Sequence, residues 1–273
     1  MDEFEDDVCG MFVSFILMDC VAVNIDKFLN DLREDWDIEI DEEKIARKDD
    51  GIVIGLDSDD NEVWADKTIE LEIEGTAIAL SFFSFPVPDG EAVNAARTSF
   101  SWDDAVKIAE NHKSFISVAA YPKKSSLLKS AVTYVKSCAS CLKQRGAVGI
   151  NTIGTVFSPE TYIKMAQKHI IDTKSFPLMN LVYIGIYSVD EGKTFGGYTI
   201  GMGILGRKNI EVLNSKHSGK EVFELMYGII SYILNNDVVL KDGETIGFLI
   251  GQKLAVTESS GFYVEENTFK IDY

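Results

Sequence analysis

The run MFVSFILM, residues 11–18, is apolar almost without interruption and only strand-long, which predicts a strand buried on both faces. After it, Ile25, Phe28, Leu29 and Leu32 recur at helical spacing, and Asn24 is placed to cap that helix. A short strand, GIVIGL, lies inside the acidic stretch 34–66. In KTIELEIEG the apolar Ile69, Leu71 and Ile73 alternate with Glu70, Glu72 and Glu74, giving a half-exposed strand with an anionic outer face. TAIALSFFSFPVP follows Gly75 as its hairpin partner and stops at Pro86 and Pro88, neither of which can donate to a ladder.

A helix is expected from Ser101 to His112, then the strand KSFISVAAYP. Over about 125–145, Leu128, Ala131, Val132, Val135, Ala139 and Leu142 form one helical stripe, flanked by Lys129, Lys136 and Lys143 at every seventh residue. AVGINTIGTVF reads as strand, and SPETYIKMAQKHI as a helix capped by Ser158 with Pro159 in its first turn. Further strands are expected at LMNLVYIGIYSV, TFGGYTIGMGI, NIEVLNS, ETIGFLIG, KLAVTES and GFYV. Ser218 and Glu221 make a capping box for the long apolar helix that follows. Each half then runs strand–helix–strand–strand–helix–strand. The expected class is α+β: antiparallel sheets with helices on one face, as two ferredoxin-like halves in tandem. The boundaries are an acidic half at 1–122, a connecting helix at 123–146 and a second half at 147–273.

Charge changes this picture more than composition does. The net charge is −18, and residues 1–75 hold 25 Asp and Glu against 6 Lys and Arg. Between Glu110 and Glu160 there are basic residues and no acid. Acidic stretches keep a surface solvated, or attract a basic partner. So strong an anionic surface argues against nucleic acid as ligand. MDEFEDD is acidic where a secretory signal is basic, the apolar run after it is too short to span a bilayer, and four cysteines without an export signal suit a reducing cytoplasm.

The motifs point away from chemistry. Gly201, Gly203 and Gly206 have the G-x-G-x-x-G spacing, but strand-like segments flank them where a dinucleotide site needs a helix to open. They read as hairpin architecture. Cys138 and Cys141 have the C-x-x-C spacing but fall late in a helix, where the dipole disfavours a thiolate, so they read as packing. DSDDNE lacks the glycine and the final glutamate of a calcium loop. His112, His169 and His217 have no ligand partner three or four residues away, which leaves no metal site and no cofactor; His112 reads as a helix-terminal residue or, less simply, as a general base.

SFPVPDGE, SWDDAVKIAENHKSFISV, GMGILGRKNIEV and YGIISYILNNDVVLKDGETIGF occur in this order along the chain. The arrangement resembles the bacterial domain of unknown function 4261 over residues 11–271. That family brings no established activity. The resemblance carries over Trp102, His112, Lys113, Gly201, Gly206, Glu211, Gly243, Thr245 and Gly247 as positions of its recurrent motifs. HKSF stands where an HKAH-like run is usual, so a paired-histidine metal site is in doubt.

The leading expectation is a cytoplasmic, non-enzymatic protein-binding module: an immunity or adaptor protein of a bacterial toxin or secretion system. It would dock a basic partner, such as a toxin domain, through Glu70, Glu72, Glu74, Asp57, Asp59 and Asp60, away from nucleic acid and membrane. The alternative is an enzyme or small-ligand binder with a pocket between the halves near Trp102, His112, Lys113 and Thr245. A third reading is a structural subunit pairing through the edge of KTIELEIEG.

Overall fold

The computed structural model describes residues 10–20, 23–41, 43, 45–48, 52–56, 62–100, 102–248 and 251–273, with the backbone alone at 52–56 and 62–65. The fold is α+β, and the chain divides after Asn180 into a first unit from Gly10 and a second from Leu181 to Tyr273.

The first unit contains β1 (Phe12–Met18), α1 (Ile25–Trp36), β2 (Ala46–Lys48), β3 (Ile52–Leu56), β4 (Glu62–Ala65), β5 (Lys67–Ile73) and β6 (Thr76–Phe83). These are followed by α2 (Glu91–Ala96), α3 (Ala105–Asn111), β7 (Ser114–Pro122), α4 (Leu127–Cys141), β8 (Ala147–Thr152), β9 (Thr155–Phe157) and α5 (Pro159–Gln167). Its seven-stranded sheet runs β2-β5-β6-β7-β1-β8-β9, antiparallel throughout, while β3 and β4 pair by themselves.

β1 lies inside this sheet, between β7 and β8, which is why its sequence is nearly all apolar. Successive side chains on a strand point to opposite faces. Leu17 joins Phe83, Phe115, Val87 and the alanines of α2 and α3 in one cluster, whereas Phe12 stacks on Tyr134 of α4. Helices therefore cover both faces, correcting the expectation of one. Asn24 caps α1 as its position predicts, accepting from the Lys27 amide at 2.9 Å. The helix expected from Ser101 begins at Ala105; Ser101 itself lies outside the described residues.

The expected division at residues 123–146 is also corrected. α4 packs on β1, β6, β7, α1 and α5, so it belongs to the core of the first unit. β8 pairs with β1, which places residues 147–180 in the first unit too. That pairing removes β8 from the second half and, with it, the tandem ferredoxin-like order.

The second unit contains β10 (Tyr183–Val189), β11 (Thr194–Ile200), β12 (Ile210–Ser215), α6 (Gly219–Asn235), β13 (Thr245–Ile246), β14 (Leu254–Ser260) and β15 (Asn267–Ile271). Its sheet runs β10-β11-β12-β15-β14-β13, with β12 and β15 parallel and the other pairs antiparallel. α6 opens on the predicted capping box of Ser218 and Glu221 and buries Val222, Met226, Ile229, Ile230 and Ile233. It packs on β10, β11 and β12.

Candidate functional site

The carboxylates expected to face a partner meet lysines of their own chain. Glu70 lies 2.6 Å from Lys48, and Glu72 lies 3.4 Å from Lys124 and 3.9 Å from Lys123. Glu74 is a turn residue and not part of the strand face: with Gly75 it forms a two-residue turn in which both φ values are positive, 49° and 78°. Its carboxylate accepts from Thr133 at 3.0 Å and meets Lys136 at 3.2 Å. Asp35 of α1 pairs with Lys143 at 2.5 Å. Folding thus brings the acidic and basic stretches of the sequence together at these points. Asp57, Asp59 and Asp60 lie outside the described residues.

Trp102, His112 and Lys113 belong to the first unit and Thr245 to the second. Trp102 packs half-buried against the α2–α3 cluster. His112 is buried, and both of its ring nitrogens are engaged: Nε2 accepts from the Val87 amide at 2.8 Å, and Nδ1 lies 2.6 Å from the Ala109 carbonyl. The carbonyl can only accept, so Nδ1 carries the proton and the ring is neutral. Burial holds its pKa below the ordinary 6.5, against the Ala109 bond. This histidine ties the end of α3 to the chain after β6. Lys113 donates its amide to Met18 and exposes its side chain.

Cys138 and Cys141 are buried in α4; burial pushes the Cys138 thiol up to about 12 and raises Cys141 as well. Neither is a reactive thiolate. Gly201 and Gly206 have φ of 105° and 67° around a single 3₁₀ turn joining β11 to β12. No helix opens there, so the glycines shape a connection as the sequence indicates. Among the described residues no three His, Cys, Asp or Glu side chains are grouped to hold a metal ion. His169 Nδ1 lies 3.0 Å from Ser175 Oγ, a pairing hidden in the sequence, and Thr173 Oγ1 joins it at 2.7 Å. Thr173 also donates to the carbonyls of Lys168 and His169 (3.1 and 3.3 Å), so this trio closes the end of a π-turn.

The second unit holds the feature that sequence reasoning missed. Glu211 lies between Ile210 and Val212 in β12, where alternation puts it on the face away from α6. It is nonetheless fully buried. Its carboxylate accepts from the amides of Phe262 (3.0 Å) and Tyr263 (2.8 Å), from Thr268 Oγ1 (2.9 Å) and from Lys270 Nζ (2.9 Å). Burial alone would raise its pKa, but the Tyr263 amide, Lys270, the Phe262 amide and Thr268 together hold it below 4.5. Tyr263 also stacks on Tyr198 at 5.1 Å between ring centroids and lies 4.1 Å from Tyr187. The loop 261–266 is therefore fixed to the sheet. Gly261 admits its close approach, since a Cβ there would stand 2.1 Å from the Val264 carbonyl oxygen.

That loop supplies one wall of a cleft of about 660 Å³, through Glu265, Glu266 and Asn267. Gly203, Gly206, Arg207 and Lys208 also line it, and Ile233, Val239, Leu240 and Phe269 make up its apolar lining. Val239 and Leu240 also line a groove of about 680 Å³ against Gly243–Phe248 and Tyr232. Three large apolar side chains stand exposed there: Val239 at 58%, Phe248 at 48% and Tyr232 at 45%. Thr245 lines this groove from β13, whose second edge has no strand partner among the described residues.

No curated protein and no solved structure matches the chain. No helix among the described residues is long and apolar enough to cross a membrane. SFPVPDGE and SWDDAVKIAENHKSFISV lie upstream of the residues that a family model matches. Cleft, groove, Glu211 and the 261–266 loop fall inside them: the model of a domain of unknown function, DUF4261, matches residues 198–272, so that this C-terminal segment is similar to that family.

Proposed function

We propose that the protein is a non-catalytic protein-binding module that docks its partner in the groove of the second unit. The observation that carries this is the exposure of Tyr232, Val239 and Phe248 around one groove beside an open strand edge. Contiguous exposed apolar side chains with a polar rim are what partner surfaces present. A net charge of −18 favours a basic partner, and an immunity or adaptor protein facing a basic toxin domain is a concrete form of this reading. Free thiols at Cys20, Cys138 and Cys141 suit a cytoplasmic setting. Glu70, Glu72 and Glu74 carry less of the docking in this reading, because each already meets a lysine. A general base at His112 finds no support in a ring with both nitrogens engaged.

The test is affinity capture with the full chain, quantified by mass spectrometry, from cells that make it. Val239→Asp with Phe248→Asp is expected to release the dominant partner, and Glu70→Lys with Glu72→Lys to retain it. The reverse pattern would move docking to the acidic strand, and retention by both variants would refute both surfaces.

A further inference from the structure

We infer that the cleft beside the groove receives a lysine or arginine side chain from an extended, apolar segment of the partner. This rests on the binding-module reading and adds the chemistry of the partner.

The cleft's cations are already satisfied. Arg207 donates from Nε to the Val238 carbonyl at 2.7 Å, from Nη1 to the Gly206 carbonyl at 3.1 Å and from Nη2 to Asp237 at 2.6 Å. Lys208 pairs with Glu258 at 2.9 Å. The anions are not. Glu265 has no hydrogen-bond or ion-pair partner among the described residues, and Glu266 uses one oxygen to accept from Asn209 Nδ2. The unmet charge of the cleft is therefore negative, and an anionic ligand would meet repulsion there.

The apolar wall selects the shape of the cation. Val239, Leu240 and Phe269 line the same cleft as Glu265 and Glu266, which offers a long methylene stem an apolar surface and its charged head a carboxylate. A free metal ion uses none of that wall. A small amine fills little of about 660 Å³ and leaves the adjoining groove empty. A polypeptide supplies all three complements: a basic side chain for the cleft, apolar side chains for Val239, Tyr232 and Phe248, and main-chain groups for the free edge of β13. Glu211 holds the loop bearing Glu265 and Glu266 in place, which lowers the ordering cost of binding.

The experiment is selection of a displayed random-peptide library on the immobilised full chain, followed by fluorescence anisotropy with the enriched peptide. Enriched sequences are expected to place a Lys or Arg beside Leu, Phe or Val. Glu265→Gln, at an exposed position that leaves thermal stability unchanged, should weaken the peptide about tenfold, as loss of a charged hydrogen bond does. Replacing the peptide's basic residue by norleucine should cost about the same, and combining both changes should add nothing further. Peptides without a cation, or peptides that Val239→Asp releases while Glu265→Gln does not, would overturn the basic anchor and leave the groove reading standing. No enrichment, or peptides insensitive to Val239→Asp, would overturn both.

Discussion

The two units treat their surfaces in opposite ways. In the first, charge that looks available in the sequence is paired with charge from another element: Glu72 with Lys123 and Lys124, Glu74 with Lys136, Asp35 with Lys143. In the second, a buried carboxylate braces a loop so that apolar and anionic groups beside it stay open. Where a chain concentrates its charge and where it keeps surface for others are thus separate properties. The first is settled by complementarity within the fold, the second by what is left uncovered.

The sharpest way to break this contrast is to remove Glu211. Glu211→Ala leaves Lys270 and two amides without their buried acceptor, and about 3 kcal/mol or more of stability should be lost in chemical denaturation. Because its pKa is held below 4.5 in the native state, the stability it adds is complete above about pH 4.5 and is lost as pH falls through the native value. The Glu211→Gln variant should flatten that acid limb. Next comes His112→Phe in the first unit, which leaves the Val87 amide buried without an acceptor and should cost about 1–3 kcal/mol. With its native pKa below 6.5, His112 is protonated first in the unfolded chain, so its contribution declines as pH drops below about 6.5. Urea midpoints at pH 7.5 and 5.5 compare the two proteins. Glu72→Gln, at a half-exposed ion pair, should change stability by less than about 1 kcal/mol, and the effect should shrink in salt. Smallest of all is Val239→Ser, expected within about 0.5 kcal/mol of the parent in the same melts while abolishing capture of the partner.

Much of the local structure was legible because its causes are local. Asn24, Ser158 and Ser218 cap the helices that their positions predict, and the Ile69-Leu71-Ile73 alternation marks the strand that it becomes. Sheet order was not legible. A division near residue 147 looks natural along the chain, yet β8 lies next to β1, and only a long-range pairing decides that. The ion pairs of Glu72 and Glu74 join residues about 50 to 60 positions apart. Glu211 was hidden for a related reason: a glutamate between two apolar strand residues reads as solvent-facing, and nothing nearby announces that a loop fifty residues on will close over it. Of the expected pocket residues Trp102, His112, Lys113 and Thr245, Thr245 alone lines the candidate groove.

The place of β1 in its sheet bears on how the protein is made. Phe15 is translated long before the residues beside it, Ser117 on one side and Asn151 on the other. Until the ribosome has delivered both neighbouring strands, a strongly apolar ribbon waits with its edges unpaired. The nascent chain is therefore exposed to aggregation, and a helper that shields emerging hydrophobic segments should raise its yield more than a slower rate of synthesis would.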